Sequence, residues 1–130
     1  MKHNELSSLV IKSAITVHRE LGPGLLESVY QVCLLAELKH SGLRVEQQLA
    51  VPITYKGQRL ANDLRIDMLV EDRLIIEIKA VEELHPVHTA QLLTYLRLTN
   101  KKLGLLINFN TIKLVDGLER VINGYLDEAE

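Results

Sequence analysis

A chain of 130 residues, 47% hydrophobic and 25% charged, can bury one core, so a single domain over residues 1–130 is expected. Its net charge of −2 excludes a global pull toward nucleic acid, and any such contact has to be local. The lone Cys33 excludes an internal disulfide framework, Met1-Lys2-His3-Asn4-Glu5 lacks the form of a signal peptide, and no apolar run has transmembrane length, so a cytoplasmic protein with no membrane partner is expected.

Leu6, Val10, Ala14, Val17 and Leu21 recur at helical spacing and predict an amphipathic helix over 5–21. Gly22-Pro23-Gly24 breaks it. A second helix is predicted from about Leu25 to His40, with Gly42 as its C-terminal cap, and Cys33 reads as a small buried hydrophobe within it. Three strands follow, over Arg44–Tyr55, Arg59–Val70 and Leu74–Val81. A helix over Pro86–Thr99 has its proline in the first turn, where no N–H is needed. Leu103–Asn108 is a nearly all-apolar strand, as expected of one covered on both faces, and a further strand is predicted near Ile112–Val115. The pattern is α/β: a central mixed sheet flanked by helices, with Leu103–Asn108 parallel to the third strand across the helical crossover.

Side-chain alternation sets the expected registers. Val45, Leu49, Val51 and Ile53 share a face, as do Leu60, Leu64, Ile66, Met68 and Val70, and a two-residue turn at Lys56-Gly57 brings the two sets together. A three-residue loop, Glu71-Asp72-Arg73, puts Met68 and Val70 with Ile76 and Leu74, Asp67 opposite Glu77, and Arg65 opposite Lys79. Carried across the sheet, the same register puts Glu46 opposite Asp67. The second face then gathers Glu46, Asp67, Glu77 and Lys79, an arrangement of like charges that a purely structural sheet seldom makes. Burying a carboxylate costs several kcal/mol unless it is paired, protonated or bound to a cation. The charged groups within the apolar runs Asp67–Val70 and Leu74–Lys79 therefore suit a metal-dependent hydrolytic site.

Two helical stretches add to this set. In Gly24-Leu25-Leu26-Glu27-Ser28-Val29-Tyr30 the acid falls in the first helical turn and the tyrosine one turn later on the same side. In Pro86–Thr99, His88, Gln91 and Tyr95 form one stripe, with Leu92, Leu93 and Leu96 toward the core. A helix with an acid, a hairpin with Asp67 and Glu77-Ile78-Lys79, a helix with Gln91 and Tyr95, then an apolar strand: this order resembles the PD-(D/E)XK nuclease superfamily, and specifically the small bacterial GxxExxY proteins. Gly24, Glu27 and Tyr30 match the GxxExxY motif, and Gln91 and Tyr95 match a Gln-x-x-x-Tyr motif. The resemblance runs to Gly104–Asn110 and Asp116–Arg120, with Ile66 in place of the proline that names the superfamily.

The resemblance implies a restriction-endonuclease-like core and a hydrolase, a Mg²⁺-dependent nuclease, acting on nucleic acid with DNA favoured over RNA. Asp67 and Glu77 would bind Mg²⁺, or alternatively Mn²⁺, with the Ile78 backbone carbonyl as a third ligand and Glu27 acting through a water. Lys79 would serve the attacking water and the phosphate, so the catalytic set is Glu27, Asp67, Glu77 and Lys79. Tyr30, His88, Gln91 and Tyr95 would position the substrate. Zinc at His85 and His88 has no further Cys or His at ligand spacing to support it. The competing functions are a catalytically silent nucleic-acid-binding or protein-interaction module that keeps the fold, and an assembly protein whose acidic face makes a contact. A homodimer through the aliphatic helices is compatible with the pattern.

Overall fold

The computed structural model describes residues 1–126, apart from the side chain of Asn62. Helix α1 spans His3–Leu21 and α2 spans Glu27–His40. Leu6, Val10, Ala14 and Val17 are buried, as their spacing predicts. Helix α2 ends in the left-handed cap that Gly42 permits: with φ of 81°, it lets Gly42 N–H reach Lys39 O and Leu43 N–H reach Leu38 O. Strands β1 (Val45–Tyr55), β2 (Gln58–Val70) and β3 (Leu74–Lys79) follow, then α3 (Pro86–Thr99), β4 (Leu103–Asn108), a 3-10 turn at Leu114–Gly117 and β5 (Leu118–Ile122).

The five strands form one sheet in chain order, β1-β2-β3-β4-β5. Every neighbouring pair is antiparallel except β3 and β4, which run parallel across the α3 crossover as expected. Helices α1 and α2 cover one face, packing on Met68, Val70, Leu74, Ile76 and Ile78 with Leu103, Leu105 and Ile107. Helix α3 covers the other through Leu92, Tyr95 and Leu96 on Val51, Ile66, Leu69, Ile75 and Leu106. Strand β3 is buried on both sides up to Ile78, and β4 throughout, which explains their unbroken apolar character.

The register expected across β2 and β3 is met, and the one expected across β1 and β2 is corrected. Val70 pairs with Leu74 and Met68 with Ile76, so the loop is Glu71-Asp72-Arg73, with Glu71 and Asp72 both at positive φ. Glu46, however, faces Leu69 rather than Asp67. The turn at Lys56-Gly57 does set Tyr55 against Gln58, but between Thr54 and Pro52 the ladder shifts, because three residues of β2 face one of β1 before Pro52 pairs with Asp63. The single-face assignment also fails midway along the hairpin. Leu49, Val51, Leu64 and Ile66 pack with α3, whereas Val45, Met68 and Val70 pack with α1 and α2. The change of side falls at Gln48, whose φ of 51° breaks the alternation that an extended strand imposes.

The tail differs too. The strand is Leu118–Ile122, not Ile112–Val115. Ile112 and Val115 are exposed, at 84% and 61%, while Leu118 pairs with Ile107 and Val121 with Gly104. The tight approach of Gly117 to the Asn108 carbonyl makes the chain turn before the strand can begin: a Cβ at Gly117 would lie 2.2 Å from that oxygen.

Candidate active site

The β2–β3 ladder stops at Met68↔Ile76, while β3 continues to pair with β4 as far as Lys79↔Asn108. At the next position side chains take over from backbone. Ile78 N–H donates to Asp67 Oδ2 at 2.8 Å, and Asp67 N–H donates to Glu77 Oε1 at 3.3 Å. Two carboxylates thus meet where the strands part, in the register that the three-residue loop dictates. Met68 and Ile76, one residue away on each strand, pack in the opposite layer.

Glu77 is 7% exposed, and burial first and the Asp67 carboxylate second push its pKa up to about 9. Lys79 opposes that shift. Glu27, at the start of α2, is raised in the same direction by burial and then by Asp67, again against Lys79. Three acids from α2, β2 and β3 therefore share one field with one ammonium. Among the described residues, no three Asp, Glu, His or Cys side chains lie close enough to make a ready-made ligand cage. The close donors are two carboxylates, both hard oxygen ligands, and Glu77 is too desolvated to hold its charge unaided. That donor set fits a hard divalent cation that keeps several waters, and not a closed zinc site.

Tyr30 has a different place from the one its motif suggests. It is fully buried, its ring stacked on Phe109 at 4.6 Å. Its hydroxyl donates to Gly22 O at 2.6 Å and accepts from Leu25 N–H at 3.1 Å. It therefore fixes the loop that launches α2, where Gly24 holds φ of 96°, and so fixes Glu27, instead of facing a substrate. Tyr30→Phe should lose about 1 kcal/mol of stability through the two orphaned backbone groups. It should also lower any activity that depends on Glu27; urea melts and turnover of the same samples check both.

Helix α3 faces the acids from the other layer. Tyr95 is 5% exposed, and burial, then Glu77 and Asp67, raise its hydroxyl pKa. His88 is held below its ordinary value by desolvation, then by Lys79 and His85. Its Nδ1 accepts from His85 N–H at 3.2 Å, so the histidine pair caps α3 around Pro86. Gln91 lies between them on the same stripe and is exposed. His88 and Tyr95 are thus brought to the acid–lysine cluster, and Gln91 stands on the open surface beside it.

Asn108 escaped the sequence reading. It is 2% exposed; its Oδ1 accepts from Val81 N–H at 3.1 Å, and its Nδ2 donates to Val81 O at 2.9 Å. With Phe109 N–H donating to Lys79 O at 2.9 Å, it clamps the chain just after Lys79. The available signal was a lone polar residue closing an all-apolar strand.

A family model described as the PD-(D/E)XK nuclease superfamily matches residues 4–121. No curated protein and no solved structure gives a significant match. The matched stretch runs from the first turn of α1 into β5 and takes in Glu27, Asp67, Glu77 and Lys79 together with the sheet that carries them. With its mixed sheet and flanking helices as a restriction-endonuclease-like core, the chain belongs to the PD-(D/E)XK nuclease superfamily.

Proposed function

We propose that this protein is a divalent-metal-dependent nuclease that hydrolyses phosphodiester bonds in DNA. The observation that carries the reading is the meeting of Asp67 and Glu77 at the end of the β2–β3 ladder, with Lys79 beside them in the same field. Such a pair is costly in a structural sheet and useful only with a counter-charge. Asp67 and Glu77 would hold Mg²⁺ or Mn²⁺, with the Ile78 carbonyl as a further ligand and Glu27 acting through a water. When bound, the cation supplies charge neutralisation at the phosphate and a more acidic attacking water.

The chain's own groups do the rest. Lys79 carries a positive charge to the phosphate and orients the nucleophilic water. Glu27 enters from the α2 side and takes or relays a proton at its carboxylate, a role suited to its raised pKa. His88, Gln91 and Tyr95 line the α3 side and orient the scissile strand. Gly24, Glu27 and Tyr30 support placement within the GxxExxY branch of the superfamily.

The test is a cleavage panel of single-stranded, double-stranded and branched DNA and of RNA, with Mg²⁺ or Mn²⁺ and with chelator. Metal-dependent cleavage of at least one DNA substrate is expected. Intact substrates throughout, with no divalent-metal binding by calorimetry, would leave the silent nucleic-acid-binding or protein-interaction module as the function.

A further inference from the structure

The β1–β2 hairpin outruns the rest of the sheet. Strand β2 pairs with β3 only at Met68, Leu69 and Val70, so beyond Asp67 the two hairpin strands pair with each other alone. The base of this ribbon is anchored, since Leu49, Val51, Leu64 and Ile66 pack against α3. From Thr54 to Ala61 every residue is exposed. Because β2 is antiparallel to β3, the ribbon projects past the end of β3 that carries Glu77 and Lys79.

Charge is unevenly divided around that end. Between Leu49 and Ile66 the ribbon has Lys56, Arg59 and Arg65 against a single acid, Asp63, in a chain whose net charge is −2. Arg59 holds Asp63 at 3.1 Å, an exposed pair that contributes little and is readily exchanged for a phosphate. On the other flank, Glu82 and Glu83 border a cleft of about 290 Å³ with Asp116 and Glu119, and another of about 480 Å³ with His85 and His88. Neither cleft is lined by Lys or Arg. A polyanion is drawn to the ribbon side and repelled from the other.

The tip also carries an aromatic that the core does not use. Tyr30, Tyr95 and Phe109 are buried, whereas Tyr55 is 63% exposed, with the Lys56 ammonium 5.5 Å from its ring centre. A basic track with an open aromatic face is the chemistry that holds unpaired bases. Edge pairing with a second copy is disfavoured by Pro52 on the outer strand, which has no N–H to offer a partner.

We propose that the β1–β2 ribbon is a single-strand-binding arm, in which Lys56 and Arg59 hold phosphates and Tyr55 stacks on a base, leading the strand to Asp67 and Glu77. The proposal rests on the nuclease reading for its substrate class. Arg59 lies about 26 Å from Asp67 along the strand at ~3.3 Å per residue. A strand that keeps its bases stacked at ~3.4 Å each needs about eight nucleotides to use both, and a more extended one needs fewer.

The test is fluorescence polarisation with a labelled oligothymidylate of about 20 nucleotides and a matched duplex, in chelator and across a salt series. Lys56→Ala combined with Arg59→Ala should weaken single-strand binding and reduce the log–log salt slope by about 1.4. Tyr55→Ala should weaken single-strand binding by about tenfold and leave the duplex unchanged. These exposed sites should leave the melting temperature as it is. Unaltered affinity and slope in the tip variants, or no measurable binding by the wild type, would overturn the arm. Equal losses on duplex would overturn its single-strand character.

Cleavage separates this proposal from the nuclease reading. Tip variants should lose kcat/KM on the longer oligonucleotide but not on substrates of about three nucleotides, which are too short to span the distance from Arg59 to Asp67 even when extended. Cleavage that survives unchanged at all lengths removes the arm and leaves the nuclease. Tip-dependent binding with no cleavage by the wild type does the reverse.

Discussion

Asp67→Asn and Glu77→Gln should each reduce cleavage by at least about 10²-fold, the scale of losing one preorganised charge-stabilising group. Each removes a charge from the pair that meets at the end of the β2–β3 ladder, and each should weaken divalent-metal binding in titration calorimetry. Both replacements keep an oxygen that can accept the backbone bonds now made by Asp67 Oδ2 and Glu77 Oε1. The fold should therefore survive, and in chelator the variants should melt no lower than the wild type, because each relieves the cost of keeping two carboxylates in one desolvated site. Lys79→Ala should show the complementary pattern, with metal binding kept and cleavage lost, since its role is at the water and the phosphate. Metal binding unchanged in Asp67→Asn, together with a lower melting temperature, would mark the pair as structural and end the nuclease reading.

Stability in chelator should fall as pH rises from about 5 to about 9. Glu77 binds its proton more tightly folded than unfolded, with a pKa of about 9 against 4.5. Below 4.5 both states are protonated and the site costs nothing; above it the unfolded chain ionises first and gains. The slope contributed by this one proton approaches about 1.4 kcal/mol per pH unit inside the window. Glu27 is shifted in the same direction and steepens the lower part. Glu77→Gln should flatten the profile, measured by urea melts at several pH values. Saturating Mg²⁺ or Mn²⁺ should flatten the profile for the wild type, because the cation keeps the carboxylates ionised in the folded state as they are in the unfolded chain. Calorimetry in buffers of different ionisation enthalpy should detect proton release on metal binding at pH 7. A flat wild-type profile in chelator would show that Glu77 is not held neutral by its surroundings.

The functional site was legible in the sequence to the extent that it depended on local register. Asp67 and Glu77 are joined by a short hairpin, and a three-residue loop leaves them no other way to meet. The helices were legible from apolar spacing, and α3 and β4 begin and end where their pattern does. Local information failed where distant chain sets the answer. Glu46 was misplaced because a bulge in β2, opposite Ile53, resets the outer ladder, and bulges are backbone events that alternation does not encode. The β5 strand was sought too early because Ile112 and Val115 are apolar yet exposed, and only the partner strand β4 selects Leu118 and Val121. Tyr30 shares a motif with Glu27, but its hydroxyl is committed to Gly22 and Leu25 by the stacking on Phe109, a contact between residues far apart in the chain. Asn108 became visible only once β3 and β4 were laid side by side. Element order, the covering of both sheet faces and the acid pair follow from periodicity and loop length, which are local to the chain. Tertiary structure alone decided which acid stands outside the site, which tyrosine is scaffold and how far the hairpin projects, because those depend on where ladders stop and which long-range partner wins the pairing.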